Sequence, residues 1–157
     1  MNGESERLVE HTMMAVHDQL EHTFFLHQRA LLDRDYPRAA AALHDYRREL
    51  EQHVHDEEQH VLPLYARLGG DATDAPLALF LGEHRNLRRF VAEFVERTAA
   101  LQSAPDDRLL LDLLDREATF KNLVLHHDLR ERNLLYPFLS ERLQPEQQRA
   151  LHERLGH

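Results

Sequence analysis

Two pairs of side chains in this sequence have the types and spacing of metal ligands: His53 with Glu57, and His127 with Glu131. Four residues make about one turn of an α-helix, so each imidazole shares a face with its carboxylate. The spacing alone is common in a chain with 13 His, and His17 with Glu21 repeats it. The first two pairs, however, share a longer frame. Each His precedes a Pro by ten residues, and an apolar pair stands before that Pro, in Val61-Leu62-Pro63 and Leu135-Tyr136-Pro137. Each frame is preceded in its half of the chain by a Glu-His pair, Glu21-His22 and Glu83-His84. The candidate ligands are therefore His22, His53, Glu57, His84, His127 and Glu131.

Six such groups turned inward at one level would be costly in a dry core unless their charge were balanced, and a metal supplies that balance. Imidazole with carboxylate suits iron, manganese or zinc, whereas magnesium and calcium take oxygen alone. The chain has no Cys, which excludes thiolate zinc sites, Cys-ligated iron–sulfur clusters, disulfide scaffolds and cysteine nucleophiles. On two six-coordinate ions, four imidazoles and two bridging carboxylates leave about one open position per ion once an oxo or hydroxo bridge is counted. Dioxygen, peroxide or nitric oxide would fit there.

The elements that must position these residues are helices. Apolar periodicity is helical nearly throughout, and the few breakers divide it. Helices are expected over residues 6–32, 37–68, 76–101 and 103–139, with a short tail helix over 145–155. Pro37 opens the second and Pro76 the third, while Gly69-Gly70 stops the second. Pro63 and Pro137 fall within helical pattern, where a kink or an early end is expected. Short connections make neighbouring helices antiparallel, giving an all-α, up-down-up-down four-helix bundle with a core over about residues 6–140 and a tail over 141–157, in a single domain. At about 1.5 Å per residue, His22 lies about 17 Å before the first turn and His53 about 24 Å after it, within one to two turns of the same level.

Composition sets limits. The 157 residues carry a net charge of −9, and Lys121 is the one Lys, so no basic stripe for nucleic acid is expected. The first ten residues lack the apolar core of a secretory signal, and no apolar stretch is long enough to span a membrane. A cytoplasmic protein is the expectation, with its oligomeric state and any protein partner left open.

The order His22, His53-x3-Glu57, His84, His127-x3-Glu131 resembles the hemerythrin-like (HHE cation-binding) domain, over about residues 10–140. The resemblance implies a non-haem centre of two iron ions, with the four His terminal and Glu57 and Glu131 bridging. It implies a small ligand (oxygen, nitric oxide or peroxide) and a role in iron handling, sensing or stress defence. Oxygen-carrying hemerythrins have a further His and an Asp where this chain has Arg88 and Arg132, so reversible oxygen carriage is the alternative. Two other readings are a helical sensor or interaction module with a structural metal, and a metal-free His cluster titrating near pH 6 to 7.

Among the remaining His, His17 and His27 compete with His22 for the inward face of the first helix. His60 completes Glu57-x-x-His60, an element of ferritin-like di-iron bundles, but the matching place after Glu131 is Leu134. The ferritin reading fails on that residue, and the role of His60, beside the ligands or on an entry path among the readings, is left open. Tyr65 and Tyr136 are expected in the core.

Overall fold

The computed structural model describes residues 7–155. The expected helix start at Glu6 and the last two residues of the tail lie outside them. Helix α1 spans Leu8–Leu32, α2 Tyr36–Asp56, α3 Leu62–Arg67, α4 Leu77–Ser103, α5 Asp107–Arg130, α6 Tyr136–Arg142 and α7 Pro145–Arg154. No strand occurs among the described residues. Along the chain α1 packs on α2, α2 on α4 and α4 on α5, while the short C-terminal α7 folds back onto α1. The expected all-α bundle is the architecture observed.

Local chemistry explains the ends of these helices. The Asp35 carboxylate accepts from the Arg38 N–H at the start of α2, and Asp106 accepts from the N–H groups of Arg108 and Leu109 at the start of α5. Gly69 takes φ 99 after α3, a left-handed conformation that a glycine adopts without strain. Gly70 is required for a different reason. A Cβ there would run into the Tyr65 ring, and that ring is held by hydrogen bonds from its hydroxyl to the Ala75 carbonyl at 2.7 Å and with Thr73 at 2.9 Å. Gly70→Ala is expected to destabilise the fold by about 1–3 kcal/mol, read as a lower thermal midpoint, because the overpacked ring has little freedom to move.

Around the two prolines, where a kink or an early end is expected, the regular α-helix stops at Asp56 and Arg130 and gives way to a wider turn. Helical backbone continues through both, but the five residues ahead of each Leu-Pro or Tyr-Pro step form a π-turn, Glu57–Val61 and Glu131–Leu135. Proline has no N–H to give to the carbonyl four residues back, and its ring crowds that carbonyl. Widening the turn relieves this: the Leu62 N–H bonds the Glu57 carbonyl, and the Tyr136 N–H bonds the Glu131 carbonyl, each five residues back. Both wide turns begin at a candidate carboxylate.

Two apolar clusters fill the bundle. One contains Leu20, Phe24, Tyr46, Leu50, Phe94 and Phe120; the other contains Met13, Val61, Leu62, Tyr65, Phe80 and Leu139. Buried polar residues accompany them, including His17, His53, Glu57, His84, His127 and Glu131. A separate buried pair fastens α1 to α2 and α5. His27 Nδ1–H donates to the Ala39 carbonyl at 2.8 Å, and its Nε2 meets Glu117 Oε2 at 2.6 Å.

Candidate metal centre

Four helices and the two π-turns bring the polar groups together. His17 comes from α1, His53 from α2, His84 from α4 and His127 from α5, with Glu57 and Glu131 at the first positions of the π-turns. Glu57, His84 and Glu131 have no solvent exposure, and the other three are buried. Glu57 reaches in two directions: Oε1 lies 2.8 Å from His53 Nε2, and Oε2 lies 3.0 Å from His84 Nε2. Glu131 Oε1 lies 2.9 Å from His127 Nε2 and 3.4 Å from His17 Nε2.

Ligand atoms of His17, His53, Glu57 and Glu131 all fall within 4.8 Å of one another, and so do those of Glu57, His84 and His127. Glu57 belongs to both groups. Yet His53 Nε2, His127 Nε2 and Glu131 Oε1 are buried without a hydrogen-bond partner. Short separations without hydrogen-bond geometry are what converging ligand atoms produce around a common ion, and buried polar atoms left unpaired are otherwise expensive. The donor set of imidazole nitrogen and carboxylate oxygen suits iron.

Five of the six sequence-derived positions meet here, and one does not. His22 is exposed on α1, whereas His17 is buried in the cluster. The five-residue step from one to the other turns the helix through about 140°, so the two rings cannot share a face. Of the two other contenders on α1, His27 also faces inward but pairs with Glu117 instead. His60 is half-buried within the first π-turn and is not one of the grouped ligands.

Outside the ligand atoms stands a ring of carboxylates that the sequence reading passed over. Glu58 Oε1 accepts from His84 Nδ1 at 3.0 Å, and Glu83 Oε1 accepts from His127 Nδ1 at 3.3 Å. Asp128 Oδ1 lies 3.7 Å from His17 Nδ1. An imidazole that gives its Nδ1 proton outward keeps Nε2 free to face an ion. Glu83 is itself paired with Arg130, and the Arg88 guanidinium makes a two-pronged contact with Glu51 at 3.0 and 3.1 Å while standing 3.9 Å from Glu58. The Glu83-His84 step was visible in the sequence, but Glu83 serves His127 of the next helix rather than its neighbour.

Tyr136 was expected as core and is more than that. It is fully buried, and its hydroxyl lies 3.1 Å from Glu131 Oε2, 3.2 Å from Glu57 Oε1 and 3.4 Å from His17 Nε2. A single hydroxyl proton serves one carboxylate at a time, so this group links the two without neutralising either. Its position five residues after Glu131, across one π-turn, is the signal that would have found it. Tyr65 is core, as expected.

The electrostatics are those of buried imidazoles and carboxylates that stabilise one another's charge. Burial lowers the basicity of His53, but the Glu57 and Glu131 carboxylates outweigh it and hold the imidazole up at about 10. His127 is likewise held well above the ordinary value, with Glu131 overcoming burial. Burial raises Glu131, yet His127 and its other partners keep it well below the usual carboxylate range. Burial pushes Asp128 up to about 6, against the pull of His17.

An all-α bundle with a buried layer of imidazoles and carboxylates defines a class, the helical-bundle proteins with a candidate cation site inside. The chain belongs to the hemerythrin HHE cation-binding domain family, whose family model matches residues 8–155. Comparison with curated proteins finds no match, and comparison with solved structures finds none. No described helix is long and apolar enough to cross a membrane.

Proposed function

We propose that this protein holds two iron ions, with His17, His53, His84 and His127 as terminal ligands and Glu57 and Glu131 bridging. The single observation that carries this reading is the shared position of Glu57, whose two oxygens face imidazoles from different ligand groups. Iron bound there would supply redox chemistry toward a small ligand such as dioxygen, nitric oxide or peroxide. The residues around it supply the rest. Glu58 and Glu83 fix which ring nitrogen of His84 and His127 faces inward, and Tyr136 keeps the two bridging carboxylates in register. The Arg88 side chain is committed to Glu51, so it adds no ligand where an oxygen carrier has a further His. An exchangeable position is therefore retained, which favours iron handling, sensing or stress defence over oxygen carriage.

Protein produced with iron available is expected to contain about two ions per chain, the number this ligand set can serve. One ion or none, by elemental analysis, would overturn the reading. After reduction, exposure to air is expected to oxidise the centre without recovery when the gas is withdrawn. Repeated full recovery of the reduced spectrum would establish the reversible carrier instead.

A further inference from the structure

The six candidate ligands are all buried, so a cation can reach them only past a group that meets solvent. Three carboxylates outside the ligand set stand between the imidazoles and the surface: Glu58, Glu83 and Asp128. The first two are already committed. Each accepts a hydrogen bond from an imidazole Nδ1–H, and each has an arginine beside it, Arg88 at 3.9 Å from Glu58 and Arg130 on Glu83. A guanidinium at the entrance turns a cation away.

Asp128 differs on each count. Its side chain is 30% exposed, and among the described residues it makes no hydrogen bond and pairs with no arginine or lysine. What faces it is His17 Nδ1, a buried atom without a hydrogen-bond partner, at 3.7 Å. That separation is too long for a hydrogen bond but ordinary for two ligand atoms that each lie about 2.1 Å from one ion. Ligand atoms of Asp128, His127 and Glu131 also fall within 4.8 Å of one another. The His17 ring therefore looks both ways, with Nδ1 toward Asp128 and Nε2 toward Glu131.

Asp128 opens on a groove between α1 and α5 that Glu21 also lines, together with His17, His53 and His127. Glu21 is exposed and has no partner among the described residues. It stands four residues after His17, in the His-x3-Glu pair that the ligand set leaves unused. Charge at this mouth favours a cation. His53 and His127 are matched by Glu57 and Glu131, so Glu21 and Asp128 together outweigh His17 in either of its protonation forms. Lys121, the one Lys or Arg among the lining residues, lies seven residues before Asp128, about 10 Å along α5, and donates to Gln28. We propose that Glu21 and Asp128 form the entry site through which a divalent first-row metal ion reaches the centre, captured at the mouth with His17 Nδ1 and passed from Asp128 to His127 and Glu131. The inference rests on the reading of the centre as a metal site. It makes Asp128 a transit group, which sets how fast ions cross and not how tightly they are held. A group on the path speeds crossing in both directions, whereas a ligand slows release.

The test is cobalt(II) uptake by metal-free protein under nitrogen, followed by visible absorption in stopped flow, with release to excess EDTA and final content by elemental analysis. Wild-type protein is expected to take up about two ions per chain. Asp128→Asn is expected to slow uptake about tenfold and release by a similar factor, leaving the affinity within about twofold. Asp128→Glu should restore most of the rate. Glu21→Gln, at an exposed position that carries no packing, is expected to slow uptake about threefold and to weaken its dependence on salt. Asp18→Asn removes an equal charge from an exposed position of α1 outside the groove and should leave the rate within about twofold. Helicity by circular dichroism is the control for folding. Unchanged uptake in both Asp128→Asn and Glu21→Gln would overturn the proposal. So would faster release or lower final content in Asp128→Asn, by making Asp128 a group that holds the ion rather than one that passes it. Wild-type protein that takes up no cobalt would instead overturn the metal reading itself, and the entry site with it.

Discussion

Replacing His17 with alanine is expected to remove about one of two bound ions per chain, while His22→Ala leaves metal content at the wild-type level. His17 is buried with its Nε2 3.4 Å from Glu131 Oε1, and His22 is exposed on another face of the same helix. The carboxylates should matter more than any single imidazole. Glu57 reaches both ligand groups, so Glu57→Ala is expected to lower content below one ion per chain, because both ions lose a ligand. Glu131→Ala should follow it closely, as Glu131 meets both His127 and His17. Elemental analysis of proteins purified side by side reads these outcomes, with helicity as the control for folding. That control is needed because removing one partner from a buried charged cluster costs about 3–5 kcal/mol. Equal losses for His17→Ala and His22→Ala would contradict the assignment.

The second large effect is on stability, and it depends on pH. In the metal-free protein His53 is held up at about 10, against an ordinary value of 6.5, by Glu57 and Glu131 acting over burial. A raised imidazole stabilises the folded state fully below 6.5, and that contribution is lost as pH rises toward 10. Glu131 is shifted the other way, so its contribution is present above its ordinary 4.5 and is lost as pH falls. Metal-free protein should therefore be most stable between those ordinary values and weaken steadily through the alkaline range. Iron replaces the protons, and binding to the folded state alone adds stability. The loaded form is expected to melt about 10 °C higher at neutral pH, with the gap widening as pH rises, because uptake releases protons. Thermal unfolding of both forms between pH 6 and 9 decides it. Matching midpoints, or a gap that narrows with pH, would count against a formed centre.

Most of the architecture was legible in the sequence because helix signals are local. Asp35 with Pro37, the Gly69-Gly70 stop, and Asp106 mark boundaries that the structure keeps within a few residues. The pairs His53 with Glu57 and His127 with Glu131 were equally readable, since four residues on one helix share a face whatever the helix packs against. The prolines marked where the regular helix is interrupted, but not the form the interruption takes. Whether a helix meets a proline by breaking, kinking or widening depends on what packs around it, and here Val61, Leu62, Leu135 and Tyr136 are all buried.

The choice between His17 and His22 lies between the local and the global. The buried positions Val9, Met13, Leu20, Phe24 and Leu31 recur every four or seven residues, and His17 continues that stripe while His22 falls outside it. Axial level points the same way. His17 is about 22 Å before the end of α1 and His53 about 26 Å after the start of α2, whereas His22 is about 15 Å from its end. Both signals were in the sequence, and the thin match between Glu21-His22 and Glu83-His84 pointed elsewhere. What tertiary structure alone decided are the contacts between helices. Glu83 reaches His127, 44 residues away, and the Tyr136 hydroxyl reaches Glu57, 79 residues away. The Lys121 ammonium reaches Gln28, 93 residues away. Periodicity along one helix determines which face is buried, but which side chains meet across a bundle is set by the rotation and depth at which the helices pack.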